Sequence, residues 1–103
     1  MDRIEKLTGF LQASPNDSFL QHALALEYIK QGNDKEAEKL FDKILVREPG
    51  YVGSYYHLGK LLERNSETDK AVAVYKRGME ETKKVADKHA YSELQGALEE
   101  LED

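Results

Sequence analysis

Large apolar residues recur along the chain at three- and four-residue intervals, and small residues fall beside them at fixed places. Leu24 and Tyr28 lie four residues apart, as do Leu58 and Leu62, which puts each pair on one face of a helix. Ala25 and Gly59 stand next to that ridge, where a small side chain lets a neighbouring helix approach. On a following helix, Ala37 precedes Phe41 and Ala71 precedes Tyr75, a small residue one turn before a large ring. These sets are copies of one another. Gln21-x-x-Leu24-Ala25-x-x-Tyr28, then Ala37-x-x-x-Phe41, returns 34 residues later as Tyr55-x-x-Leu58-Gly59-x-x-Leu62, then Ala71-x-x-x-Tyr75; Pro15 and Pro49 have the same separation.

Turn and cap residues divide the pattern into elements. Asp2 followed by Glu5 has the spacing of a capping box, with Asp for the usual Ser or Thr, and opens a short helix carrying Ile4, Leu7, Phe10 and Leu11 on one side. Ser14-Pro15-Asn16-Asp17 ends it and offers caps for the next. A helix is predicted from about Ser18 to Gln31, stopped by Gly32 as a left-handed residue. Asn33 and Asp34 cap the following helix, with Ala37, Leu40, Phe41, Ile44 and Leu45 at helical spacing, and Pro49-Gly50 breaks the chain. A further helix is predicted from about Val52 to Arg64, with Asn65-Ser66 as its stop, and Thr68 caps one reaching about Glu81. Between Thr82 and Asp87 no residue type forces a turn. A break is expected there because one helix continuing to Asp103 could not fold its apolar residues back. The last segment carries Tyr91, Leu94, Leu98 and Leu101 as a narrow apolar stripe among Glu93, Glu99, Glu100 and Glu102.

A 34-residue period with this order of side-chain sizes resembles the tetratricopeptide repeat (TPR), whose pattern is W-x2-L-G-x2-Y, A-x3-F, P. Lys83 stands where the pattern has proline. The resemblance implies an all-α, TPR-type α-solenoid of about five antiparallel helices stacked right-handed. Its single domain would cover residues 1–103: an N-terminal half-repeat helix over 1–14, repeat 1 over 18–49, repeat 2 over 52–83 and a C-terminal capping helix over 84–103. Leu7 and Phe10, shifted by 34, fall on Phe41 and Ile44, so the first helix reads as the second half of a truncated repeat. The final segment does not match a third repeat, because Ser92 and Gly96 stand where Leu and a large residue belong. It reads as the polar-backed cap that repeat arrays need at their ends.

Composition narrows the classes of activity. At 103 residues the chain is one domain that should bury about 60–70% of its unfolded surface, enough for an ordinary core. Without cysteine it has neither disulfides nor thiolate metal sites, which fits a reducing compartment. No signal peptide or spanning segment is visible, so a soluble, cytoplasmic protein with no membrane partner is expected. Met1 and the acidic end Leu101-Glu102-Asp103 point to a complete chain. Charged residues make up 34% with a net charge of −5, which disfavours nucleic acid as a partner.

The resemblance also implies a site. First helices of TPR units line a concave groove that receives a peptide or helix of another protein, a non-catalytic activity. By register, Phe19, His22, Leu26, Ile29 and Lys30 would stand beside Gly53, Tyr56, Lys60, Glu63 and Arg64. The candidate groove residues are Phe19, His22, Leu26, Tyr56, Lys60 and Arg64. Tyr56, Lys60 and Arg64 form an i, i+4, i+8 row that could hold a carboxylate or acidic side chains, with Phe19, Leu26 and Tyr56 taking apolar anchors. The plainer alternative is that Lys60 and Arg64 only solvate the face, pairing with Glu63 or Glu67. One branch of the family grips the C-terminal carboxylate of heat-shock chaperones with a clamp of Lys, Asn, Asn, Lys and Arg. Here the comparable places hold His22, Leu26, His57 and Lys60, so that clamp is incomplete, and only a looser carboxylate preference at Lys60 is expected.

His22, His57 and His89 recur once per helical pair, but each steps one position, about 100° around a helix, so no shared metal ion is expected. No nucleophile elbow or phosphate-cradling loop is present, and neither an enzyme nor a cofactor is expected. The alternative function is self-association as a homodimer, through Tyr91, Leu94, Leu98 and Leu101 or through an uncovered end of the stack.

Overall fold

The computed structural model describes residues 2–102, and among them are six helices and no strand. The helices are α1 (Arg3–Ala13), α2 (Ser18–Lys30), α3 (Asp34–Arg47), α4 (Gly53–Arg64), α5 (Thr68–Lys84) and α6 (Lys88–Glu102). That is one more than the expected five or so. Met1 and Asp103, the ends of the predicted domain and two of the residues taken as signs of a complete chain, lie outside the described residues.

Most caps are those the sequence announces. The Asp2 carboxylate accepts the Glu5 amide at 2.8 Å, Asp17 accepts that of Leu20 at 3.0 Å, and Asn33 accepts that of Glu36 at 3.4 Å. Each satisfies a donor that the first helical turn leaves unpaired. Thr68 does not cap α5. It is the first helical residue, preceded by Glu67, and no side chain caps that end.

Three helices end in the same way. The amide of Gly32 donates to Ile29 and that of Asn33 to Tyr28, with Gly32 at φ 77°. Ser66 and Glu67 repeat this on Glu63 and Leu62, and Ala86 and Asp87 repeat it on Lys83 and Thr82. These paired bonds form a Schellman motif, which needs a left-handed residue at its corner. Ser66 and Ala86 adopt that conformation without being glycine, at φ 61° and 58°. Thus α5 runs to Lys84, past the predicted Glu81, and the expected break comes at Val85–Asp87. The capping helix starts at Lys88, where Asp87 accepts the Ala90 amide at 2.9 Å, and not at residue 84.

The chain divides into two compact units, the first ending at Glu48 and the second starting at Pro49. In the first, α2 packs against α1 and α3. Leu7, Leu24, Ala25, Ala37, Phe41, Ile44 and Leu45 are buried. Arg47 at the end of α3 donates to Ser18 Oγ at 2.7 Å and Gln21 Oε1 at 2.9 Å, and Ser18 donates to Glu48 at 2.5 Å, which ties the start of α2 to the end of α3. Phe10, matched by register to the buried Ile44, is 59% exposed. The helix that α1 packs closely against is α2.

In the second unit, α5 packs against α4 and α6, and α6 also touches α4. The small residues explain how closely. A Cβ built on Gly59 would lie 2.1 Å from Tyr75 Cε1, and one on Gly78 would lie 2.7 Å from Tyr55 Cβ and 2.8 Å from Leu94 Cδ1. Both rings are buried across the backbone of a facing helix. The Tyr55 hydroxyl donates to the Pro49 carbonyl at 2.6 Å, and burial, partly offset by Arg77, raises its pKa.

Candidate functional site

On α2, Phe19, His22 and Leu26 follow one another at i, i+3 and i+7, a row along one side of the helix. Phe19 is 69% exposed, while His22 and Leu26 are half-buried. His22 sits edge-on to the buried Phe41 ring with centroids 5.7 Å apart, so the core of the repeat sets its position. Ile29 is half-buried farther along. Lys30 pairs with Glu27 at 3.0 Å, and the same Glu27 oxygen meets Arg3 of α1 at 3.4 Å.

On α4, adjacent tyrosines take opposite fates: Tyr55 is in the core and Tyr56 is half-buried. Lys60 Nζ stands 5.5 Å from the centre of the Tyr56 ring, a cation over an aromatic face. The same ammonium lies 3.7 Å from Glu63 and 4.0 Å from Glu100 of α6. Glu63 in turn accepts a short hydrogen bond from the Tyr75 hydroxyl, and burial together with that bond pushes the Tyr75 phenol far above its ordinary pKa. Arg64 closes the row at the exposed end of α4. The row therefore exists on one helix, but Lys60, one of its two cations, is already compensated. A ligand carboxylate at Lys60 would compete with the chain's own Glu100, whose side chain is 76% exposed and can leave. The pairing with Glu63 follows from i, i+3 spacing; the one with Glu100 has no signal in the sequence.

The three histidines differ in their surroundings. His57 is half-buried with its ring edge-on to Tyr56, centroids 5.7 Å apart, and burial lowers its pKa. His89 is exposed. Among the described residues no group of three or more His, Cys, Asp or Glu side chains is placed to hold a metal ion. No described helix is long and apolar enough to cross a membrane.

The residues set aside for self-association are split by the fold. Leu94 and Leu98 are 1% and 7% exposed inside their own unit, where Leu94 abuts Gly78 of α5. Tyr91 and Leu101 are half-buried at the margins. A continuous leucine seam on the outside of α6 is therefore absent, because the stripe is spent on packing within the chain.

Comparison with known proteins agrees with this geometry. The tetratricopeptide repeat family model matches residues 20–50 and 52–84. A crystal structure of a tetratricopeptide repeat domain protein from Salinibacter ruber is similar, with 42% identity over 84% of this chain and 96% of that one and a TM-score of 0.80. A solution NMR structure of a tetratricopeptide repeat domain protein from Salinibacter ruber, also 42% identical, covers 85% of this chain and 89% of its own, with a TM-score of 0.82. The solution structure of a Bordetella parapertussis protein shares the fold at 22% identity, over 98% of this chain and 88% of that one, with a TM-score of 0.84. No curated protein matches the sequence.

Proposed function

The chain belongs to the tetratricopeptide repeat family, whose repeats are in general protein–protein interaction modules, and from that premise we propose that it is a non-catalytic adaptor binding a peptide or helix of a partner protein through the first helix of each repeat. The observation that carries the proposal is Phe19, a phenylalanine 69% exposed on the first helix of a repeat, followed by the half-buried His22 and Leu26. An exposed aromatic ring beside partly covered apolar surface is the usual form of an interface anchor. On α4 the Tyr56 ring under Lys60 offers a second aromatic contact, and release of Glu100 would leave Glu63 as the carboxylate an acidic group has to share Lys60 with.

The test is an NMR amide-shift titration of the isotope-labelled protein with a pool of short peptides, each supplied with a free and an amidated C-terminus. Shifts at Phe19, His22 and Leu26 and at Tyr56, Lys60 and Arg64 are expected, and their loss with Phe19→Ala or Tyr56→Ala at unchanged helical content would support the assignment. Binding that survives both substitutions would defeat it.

Self-association is a second reading, resting on Phe10, 59% exposed on α1, a helix that also carries the half-buried Ile4 and Leu11. Sedimentation at micromolar concentration decides it, since a clean monomer rules it out.

A further inference from the structure

We propose that the elbow between α5 and α6 is a second docking site, which takes an acidic segment of a partner protein carrying one apolar anchor side chain. The elbow frames an open cavity of about 510 Å³ lined by Thr82, Lys83, Ala86, Asp87, Lys88, Tyr91 and Ser92, within the size range of binding pockets. It shares no residue with the α4 row, so it stands or falls separately from the reading above.

Its walls are mostly carbon, because the polar atoms that border it are engaged elsewhere. The Thr82 hydroxyl donates to the Met79 carbonyl at 2.7 Å. The Asp87 carboxylate takes up the Ala90 amide at the start of α6. Tyr91 and Ala86 supply an aromatic ring and a methyl group to the lining, and Val85, half exposed, is next to Ala86 in the chain. An apolar side chain entering here would trade water for carbon contacts on the ring and the methyl.

The rim decides the charge of what enters. Within residues 83–88 three lysines stand against one acid, Asp87, in a chain whose net charge is −5; Lys84 is held by Glu81 at 3.1 Å, which leaves Lys83 and Lys88 as the cations of the rim. Lys83 Nζ stands 5.7 Å from the centre of the Tyr91 ring, and its pairing with Glu80, at 3.4 Å between exposed side chains, is of the weak, exchangeable kind. Carboxylates flanking an apolar anchor would meet Lys83 and Lys88 as the anchor reaches Tyr91. Lysines in the same places would be repelled.

The probes are the peptide acetyl-Glu-Glu-Phe-Glu-Glu-amide, its analogue with Ala for Phe, and its analogue with Lys for every Glu. Each is titrated into the labelled full chain while the amides of Ala86, Lys88, Tyr91 and Ser92 are followed. The acidic Phe peptide is expected to shift these signals, the Ala analogue to bind about tenfold more weakly, and the Lys analogue to leave them unmoved. The double variant Lys83→Glu, Lys88→Glu, whose changes lie on exposed side chains, should keep its helical content and lose binding of the acidic peptide. Absence of shifts at the elbow at millimolar peptide, or equal shifts with the Lys analogue, would overturn the proposal. So would elbow shifts that grow with protein concentration and without peptide: Leu101 among Glu99, Glu100 and Glu102 of a second copy has the same chemistry, and self-association would then be the use of this surface.

Discussion

Replacing Gly59 by alanine adds one methyl group and should destabilise the second unit. The added carbon would lie 2.1, 2.5 and 2.7 Å from Cε1, Cζ and Cδ1 of Tyr75. Carbon atoms pack at about 3.5–4.0 Å, so the ring or the helix must retreat by more than about an ångström. Tyr75 has no exposed surface to move into, and its hydroxyl is held by Glu63. Overpacking of this kind costs about 1–3 kcal/mol. Shifting the ring also loosens a hydrogen bond to a carboxylate, worth about 1.5–3 kcal/mol. Against this stands the gain of about 1 kcal/mol from alanine over glycine inside a helix. The net is a loss of about 1.5–5 kcal/mol, a large share of the stability of a small domain. Urea denaturation followed by far-UV circular dichroism would show it as a lower midpoint. Gly96→Ala in α6 is the internal control: the same methyl meets nothing within 4 Å, so the variant should gain about 1 kcal/mol. A Gly59→Ala protein as stable as the parent would refute the claim that close approach at Tyr75 sets the packing of α4 on α5.

Other outcomes follow from the same geometry. Ala86→Gly should raise the denaturation midpoint, because the left-handed backbone costs alanine about 1–2 kcal/mol and glycine returns only about 0.5–1 kcal/mol of that as unfolded-state entropy. An unchanged midpoint would mean that the elbow relaxes the strain. Burial holds the His57 pKa below its ordinary 6.5, more than Glu93 raises it, so protonation disfavours the fold. Stability should therefore be full above about pH 6.5 and fall as the pH drops through the folded-state value; NMR titration should place the ring midpoint below that of free histidine, and His57→Gln should flatten the loss. Glu100→Gln should strengthen binding of peptides with a free C-terminus, because it removes one of the two carboxylates that compete for Lys60. Equal affinity in a binding titration would show that Glu100 does not shield the cation.

The repeat register was legible because helix pairing imposes an order of sizes that survives divergence. Ala25, Ala37, Gly59 and Ala71 were placed at close approaches from spacing alone, and all four are buried. Gly78 was not. It lies outside the repeat signature, and its role appears only when α6 brings Leu94 against it. The caps at Asp2, Asp17 and Asn33 were readable because the acceptor sits at a fixed offset from its donor, while the one at Asp87 was not, since no turn residue precedes it. The end of α5 was less readable, since Ala86 has no preference for the left-handed conformation and takes it only because the bonds to Lys83 and Thr82 and the packing of α6 require it. Among the candidate groove residues, the sequence distinguished the buried Tyr55 from Tyr56 but not the engagement of Lys60, whose second partner lies forty residues away in the chain.

By itself, then, the sequence determined that this chain makes paired helices with a 34-residue period, where the first three of them begin, and which small residues are buried. Those are local matters, decided by spacing along one helix and by caps within a turn. Tertiary structure decided which apolar residues remain at the surface: Phe19 and Phe10 stay exposed while Leu94 and Leu98 disappear into the second unit. It also decided which charges are spent and where the α5–α6 elbow opens. These depend on what a neighbouring helix covers, and a residue's periodicity says which way it faces on its own helix but not what stands opposite.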